Sequence, residues 1–528
     1  MAKVNHQHSS YTKMRPLWQL IADCLTKEAV KNAGELYLPK PNAEDNSKEN
    51  DIRYAQYGQR AVFYNVTSRT LNGLVGEVFS AEPTVELPSI LEVLEEDIDG
   101  SGVSLCQQAK STLSHVVSFG RCGLLADYPP TDGVPTTLQQ LQKGYIRPLV
   151  ALYDPRNIIN WRTTKIGGRN VLSLVVLEEE GAIADDGFEE KTEVQYRVLR
   201  LTVTPTAAPV YSQEIWVKAT GEQTQNGKVE FVMKSSAVPT DGGNKPLDFI
   251  PFIFVGALNN DIQPDEPPLY DLAALNVAHY RNSADYEEAC FITGQPTLIT
   301  AGLTQSWVKD VWKDKPVLLG SRAALTLPSG ASASLLQVSP NSMPMEAMKH
   351  KEEQMIALGA RLVEPTIAKQ TLGEASMEEA SELSILQSAA QNVSEAYELA
   401  LSWALQFLQV GDSGEPEFEL SKEFALARMS AADRAQTVAD WQAGMISWTE
   451  ARLLYKQGGV SSQEDGVAKA EIEAELGTQM GFSPNDPNAI DPATGLPVKP
   501  EDSTNGNIDP ATGKPADKPG KEDGNKPA

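Results

Sequence analysis

The chain has 528 residues, long enough for about two to four domains. Forty-five Lys and Arg against 71 Asp and Glu leave a formal charge of −26, which excludes the broad basic footprint of a tight nucleic-acid binder. A surface that DNA merely slides past stays compatible with that balance.

No run of about 18 apolar residues occurs, so no membrane span is expected, and the opening "MAKVNHQHSSYTKMRPLW" lacks the apolar core of a secretory leader. Cys24, Cys106, Cys122 and Cys290 form no CxxC pair, and Cys106, Cys122 and Cys290, in apolar contexts, read as buried free thiols in a reducing compartment.

In chain order, a helix is predicted over Pro16–Lys31, followed by the polar loop "PKPNAEDNSKEN". Residues 57–83 then place Phe63, Val66, Leu74 and Val78 on one helical face. Gly73 and Gly76 weaken that helix unless something packs closely on them. Asp97, Asp99, Ser101 and Gly102 resemble half of a calcium loop, but Gln108 stands at position twelve and Leu105 at position nine. The favoured reading is a turn into a helix, with Ser104 as N-cap and Gln107 three residues on. From 149 to 254, strand-like runs separated by Gly, Asp and Pro turns predict an antiparallel meander. Residues 1–265 read as one α+β domain.

Residues 266–410 read as helix, small β module, helix, short loop and very long helix. The first helix opens behind Pro267 and Pro268 and carries Ala273, Val277, Tyr280, Ala284 and Phe291 on one face. Residues 293–337 hold short strands and a local basic cluster, Lys309, Lys313, Lys315 and Arg322, beside Asp310 and Asp314. In the second helix Met348, Met355 and Leu362 recur every seventh residue. From Glu374 to Val410 there is no Gly or Pro, and Leu383, Leu386, Ala390, Val393, Tyr397, Ala400 and Ala404 alternate at three and four. A helix of that length would span about 55 Å. Its thin stripe fits either a spine within one domain or packing against copies of itself, with Leu386, Val393 and Tyr397 as the packing residues. Its acids, Glu374, Glu378, Glu379, Glu382, Glu395 and Glu398, face no basic partner in the same stretch.

After a break at "GDSGEPE", residues 412–480 read as a short strand and helices, with Ser447 and Glu450 forming a capping box. Residues 481–528 repeat "IDPATG" and carry no aromatic after Phe482, a composition expected to stay disordered. No GxGxxG, HExxH or GxSxG occurs. "GEQTQNGK" (221–228) departs from the Walker spacing and reads as a hairpin turn. The histidines at 6, 8, 115, 279 and 350 are scattered. No cofactor, metal or catalytic set is therefore expected.

Three stretches carry a resemblance: "YGQRAVFYNVTSRTLNGLVGEVFSAEP", "DIDGSGVSLCQQAKSTLSHVVSFGRCGLLADYP" and "PPLYDLAALNVAHYRNSADYEEACFITGQPTLI". Together with the element order after Glu266 and the helix pair "WQAGMISWTEARLLYKQGG", they resemble the podovirus- and prophage-type portal proteins of tailed bacteriophages over about residues 15–460. The resemblance implies an α+β portal fold in a ring of about twelve copies around a channel for double-stranded DNA. Residues 1–265 would be the wing, 266–292 and 338–363 the stem helices, and 293–337 the clip. Residues 364–373 would be the channel loop, 374–411 the long spine helix and 412–480 the crown. Thr366, Lys369 and Gln370 would then face DNA, and Lys309, Lys313, Lys315 and Arg322 a partner. The implied partners are further copies of the chain, the terminase large subunit, major capsid and scaffolding proteins, and head-completion or tail adaptor proteins. The implied location is the virion, at a capsid vertex, after assembly in the host cytoplasm. The competing readings are a scaffold or adaptor without a channel, and a metal-dependent hydrolase or nuclease with a cryptic acidic site.

Overall fold

Caps decide where the first helices begin. In the computed structural model, His8 Nδ1 accepts the Ser10 N–H at 3.2 Å and starts α1 (Ser9–Leu25), seven residues before the expected Pro16. Tyr11, Met14, Trp18, Ile21 and Cys24 form its buried face, and Trp18 Nε1 donates to the Phe119 carbonyl at 2.9 Å. The short α2 (Lys27–Asn32) follows. The structure describes residues 3–128, 147–185, 187–188, 190–204, 207–219, 231–243, 245–294, 297–313, 326–336, 342–362, 384–408, 414–421 and 431–457, with 461, 463, 466–469 and 471–472. Two compact units divide the chain, Met1–Phe424 and Ala425–Ala528.

In the first unit, Ser47 caps α3 (Lys48–Arg60) and Asn65 caps α4 (Val66–Val78), so the stretch expected as one helix is two. Phe63, Leu74 and Val78 are buried as expected. Gly73 and Gly76 are not packed closely: a Cβ at either would meet nothing within 4 Å. After strand β1 (Thr84–Glu86) and the single turn α5 (Val93–Glu96), the Ser104–Gln107 capping box opens α6 (Leu105–Phe119). Gly120 ends it in the left-handed region at φ 70°, where a Cβ would stand 2.8 Å from the Asp265 carbonyl oxygen. Asp97 ties the acidic loop before α6 together. Asp97 Oδ1 accepts the Gly100 and Gly102 N–H groups at 2.8 and 2.9 Å, and its other oxygen pairs with Arg147.

Strand β2 (Arg121–Asp127) is almost wholly buried and lies between β3 (Leu149–Tyr153) and β9 (Phe252–Gly256), antiparallel to both. The strands β4 (Ile158–Ile166), β5 (Arg169–Asp185), β6 (Glu190–Thr204), β7 (Ala207–Lys218) and β8 (Phe231–Ala237) form the expected meander in sequential order. β9 departs from that expectation by pairing with β2 instead. Arg197 joins the two sheets, with Nε 2.8 Å from Glu179 on β5 and NH1 3.0 Å from Asp127 on β2. The fold is mixed helix and sheet, the α+β class.

The rest of the unit comprises α7 (Tyr270–Thr293), a hairpin of β10 (Thr297–Ala301) and β11 (Ser332–Leu336), α8 (Met343–Arg361), α9 (Ile385–Leu408) and β12 (Glu417–Glu419). β12 pairs with β1. Residues 414–421 therefore belong with the first unit, not with the helices that follow them. In the second unit, α10 (Ala431–Gln442) and α11 (Trp448–Gln457) are joined through Gly444 at φ 73°, and the expected Ser447–Glu450 capping box opens α11.

Cys122 is buried, as expected, whereas Cys106 is half-buried and Cys290 is exposed near the end of α7; Cys24 is buried as well. Four expectations fall outside the described residues: the 221–228 turn, the 481–528 tail, the 364–373 loop and the start of the long helix at 374.

Candidate functional site: a helix pair and its β module

Helix α7 is held at its base by polar groups that only a side-chain amide satisfies. Asn276 is buried, its Oδ1 accepting the N–H groups of Val66 and Thr67 at 3.2 Å each and the Thr67 hydroxyl at 3.0 Å. Its Nδ2 donates to the Tyr64 carbonyl at 2.8 Å. One side chain on α7 thus satisfies the open start of α4. Around it Leu272, Ala273, Val277, Tyr280 and Ala284 are buried. Farther along, polar ties to α3 replace apolar packing. The Tyr57 hydroxyl donates to Asp285 Oδ1 at 2.7 Å, and Arg60 pairs with Glu288. Phe291, expected on the buried face, is 43% exposed, with the Arg60 guanidinium 4.3 Å from its ring centre. The apolar face ends before the helix does.

Helix α8 runs antiparallel to α7. His279 Nε2 lies 3.2 Å from Glu352 Oε1, and Lys351 Nζ donates to Asn282 at 2.6 Å. The heptad expected on α8 is graded: Met355 and Leu362 are buried near the base, and Met348 is half-buried farther out.

The module between the two helices has no buried side chain among its described residues. Its β10–β11 ladder pairs Leu298 with Leu335 and Thr300 with Ala333. Ile299, Val311 and Leu335 are exposed, and Trp307 and Trp312 meet edge to face at 5.5 Å. Lys309 and Lys313 are exposed, and Lys313 takes a φ of 51°, the one positive value at a non-glycine among the described residues. Lys315 and Arg322 lie outside the described residues, as do Thr366, Lys369 and Gln370. The four expected basic positions are thus placed only in part.

The described part of the long helix differs from expectation in what it packs against. Ser384 is its N-cap: Ser384 Oγ accepts the Gln387 N–H at 3.2 Å and Gln387 Oε1 accepts the Ser384 N–H at 2.9 Å. The described helix begins at Ile385. Its stripe is consumed inside the chain. Leu386 is 1% exposed and Val393 and Tyr397 are 0% exposed, which leaves no side-chain surface for another subunit and corrects their assignment as subunit-packing residues. Tyr397 donates to Gln108 Oε1 at 3.0 Å and lies 2.8 Å from Thr112 Oγ1. Burial pushes its hydroxyl well above the ordinary tyrosine value. Asn392 Nδ2 donates to the Gly256 carbonyl at 2.9 Å, and Ser394 Oγ accepts the Leu420 N–H at 3.0 Å. The Leu386 N–H also meets the Leu362 carbonyl at 3.3 Å, so the chain that leaves α8 returns to the same point to begin α9.

Among the described residues no group of three or more His, Cys, Asp or Glu side chains is placed to hold a metal ion. No described helix is long and apolar enough to cross a membrane.

A family model described as "Domain of unknown function (DUF4055)" matches residues 268–408, the stretch from the base of α7 to the end of α9. No curated protein matches the chain. Among solved structures, the chain is similar to one from "Virion of native gene transfer agent (GTA) particle", at 14% identity and a TM-score of 0.34, covering 75% of this chain and 90% of that one. It is also similar to a chain of "Neck of empty GTA particle computed with C6 symmetry", at 15% identity and a TM-score of 0.35, covering 76% and 91%. A third, "Neck of native GTA particle computed with C12 symmetry", stands at 13% identity and a TM-score of 0.34, covering 77% and 93%.

Proposed function

We propose that this chain is the subunit of a portal-type ring of about twelve copies that passes double-stranded DNA through its centre. The observation that carries the reading is the helix pair. Its base is locked into the core by Asn276, and its far end carries a β module with no buried side chain among the described residues. A lone subunit gains little from exposing Phe291, Ile292, Ile299, Val311 and Leu335 together at that end. Neighbouring copies arranged side by side would cover them. The three stretches that resemble portal proteins, and the order of elements after Glu266, support the same reading.

In this assembly the α7–α8 pair is the stem and residues 293–337 are the clip. Residues 364–373 would be the channel loop of this assembly; the residues that flank it, Leu362 and Leu386, are joined by a backbone hydrogen bond. Lys369 makes a non-specific phosphate contact there, and the net charge of −26 keeps DNA from sticking elsewhere. Lys309, Lys313, Lys315 and Arg322 meet partners outside the capsid. The partners are the terminase large subunit during packaging, head-completion or tail adaptor proteins afterwards, and major capsid and scaffolding proteins at the vertex. The reading assigns the chain no catalysis and no cofactor.

The test is the mass and shape of the purified chain. Light scattering should give about twelve times the 57.3 kDa subunit, and negative-stain images should show rings with a central hole. A monomer or dimer at all concentrations sinks the proposal. A large particle without a hole favours the scaffold reading instead.

A further inference from the structure

Between α7 and α8, on one side of the pair, runs an open groove of about 590 Å³ floored by Ala274, Leu275, Ala278, Ala357 and Leu358. The small side chains on both walls leave room for a bulky apolar group, and Ala274, Leu275, Ala278 and Leu358 are only half-buried. On α8, Ile356 is 72% exposed. It lies two residues from Gln354 and two from Leu358, both of which line the groove. At about 100° per residue, Ile356 points to the opposite side of α8 from both. The helix pair thus bears an apolar knob on one side and an apolar groove on the other.

Their heights match. Glu352 on α8 stands level with His279 on α7. Four residues beyond Glu352 is Ile356, and four residues before His279 is Leu275, each a displacement of about 6 Å toward the same end of the antiparallel pair. Ile356 therefore stands at the level of Leu275, in the middle of the groove. Copies related by rotation about an axis along the helix pair keep every residue at its height. Such a rotation brings the knob of one copy to the groove of the next without any shift along the axis.

We infer that the occupant of the α7–α8 groove is Ile356 of a second copy of this chain, in a head-to-tail contact that repeats around a closed ring. A two-fold dimer cannot use both features at once, because it apposes one side of the pair with the same side of its partner. The closure of the contact into a ring rests on the function proposed above, whereas the contact itself rests on the placement of knob and groove.

The experiment is cysteine cross-linking in the full chain with Cys290→Ser, which removes the exposed native thiol. Ile356→Cys is combined with Leu275→Cys and, separately, with Ala278→Cys, so that a fold disturbed at one groove position leaves the other readable. Under mild oxidation the double variants should give a non-reducing ladder extending past the dimer. A mixture of the two single variants should stop at dimers. The parent carrying only Cys290→Ser should give neither. If scattering still reports a ring while no engineered pair cross-links, the groove contact is overturned and the ring stands. Double variants that stop at dimers overturn the head-to-tail geometry. If the unmodified chain forms no ring, it is the proposed function that fails, and the dimer or ladder result then judges the contact separately.

Discussion

Helix α9 and the α7–α8 pair sit close in the sequence but use their apolar surface differently. In α9 the apolar stripe is exhausted within the chain, and even its polar members, Asn392, Ser394 and Tyr397, are tied to other elements of the same subunit. In the pair, only the side facing the core is used up. Ile356 at 72% exposure, Met345 at 40% and Phe291 at 43% remain outside it. A regular apolar stripe therefore does not identify an oligomer surface. The interface candidate is the helix pair with apolar area left over after the subunit has folded.

The hardest way to break this comparison is at α9. Leu386→Asp with Val393→Asp places two carboxylates at sites 1% and 0% exposed within the chain. Each should cost about 4 kcal/mol or more, enough to unfold the unit. Circular dichroism and proteolysis should report an unfolded subunit, not a folded one that has merely lost its partners. A folded, monomeric double variant would return the stripe to an intersubunit role.

Next in size is Tyr397→Phe, which removes the hydroxyl between Gln108 and Thr112 without changing the packing. Leaving Gln108 Oε1 short of a donor in a buried site should cost about 1–3 kcal/mol. Denaturant midpoints of the first unit should fall, while ring mass stays unchanged. A lower ring mass with an unchanged midpoint would contradict the intrachain assignment.

A smaller effect is expected at the loop before α6. Burial pushes the Asp97 carboxyl up, but the Gly102 N–H, Arg147 and the Gly100 N–H outweigh it, and the net pKa is below the ordinary carboxylate value. A depressed folded pKa stabilises above the unfolded pKa of about 3.9, and that stabilisation is lost as pH falls through the folded value. Arg147→Met should lower stability at neutral pH by about 1 kcal/mol or less, because the pair is partly screened. Melting curves of variant and parent should converge in acid. A gap that stays constant with pH would mean that Arg147 acts by packing rather than by charge.

Much of this layout is legible in the residues. Proline, glycine and alternating patterns mark the meander and the helix–module–helix order, because those signals are local. The pairing of β1 with β12 is not legible, since it joins residues about 330 positions apart whose three-residue strands carry no periodic signal. The departure of β9 from the meander has the same cause, for edge pairing is decided by tertiary packing. The cap of the described α9 carries a local signal, Ser384 followed three residues later by Gln387, but it is set inside a stretch with no helix breaker. Asn276 reads as an ordinary polar residue on an apolar face, and its role appears only once α4 is placed against it. The knob and groove were illegible for a further reason. Periodicity places residues on a face, but it does not show which face the rest of the subunit leaves uncovered.

The smallest effect on the subunit itself, and the sharpest on its proposed work, is expected at Lys369. It lies in the segment between Leu362 and Leu386, whose flanks are already joined by a backbone hydrogen bond. A substitution inside the segment therefore leaves both anchoring helices untouched. In the proposed ring, Lys369 is the basic side chain between Glu364 and Glu374, repeated once per copy around the DNA. One phosphate contact per copy is weak and salt-screened, which suits a surface that holds any sequence and releases it. Lys369→Glu should therefore leave midpoint and ring mass at parental values while lowering the yield of DNA-filled particles, with the gap to the parent narrowing at higher salt. Unchanged filling with an unchanged ring would remove Lys369 from the channel and make the segment a plain connector between α8 and α9. A lost ring would instead place the segment among the subunit contacts.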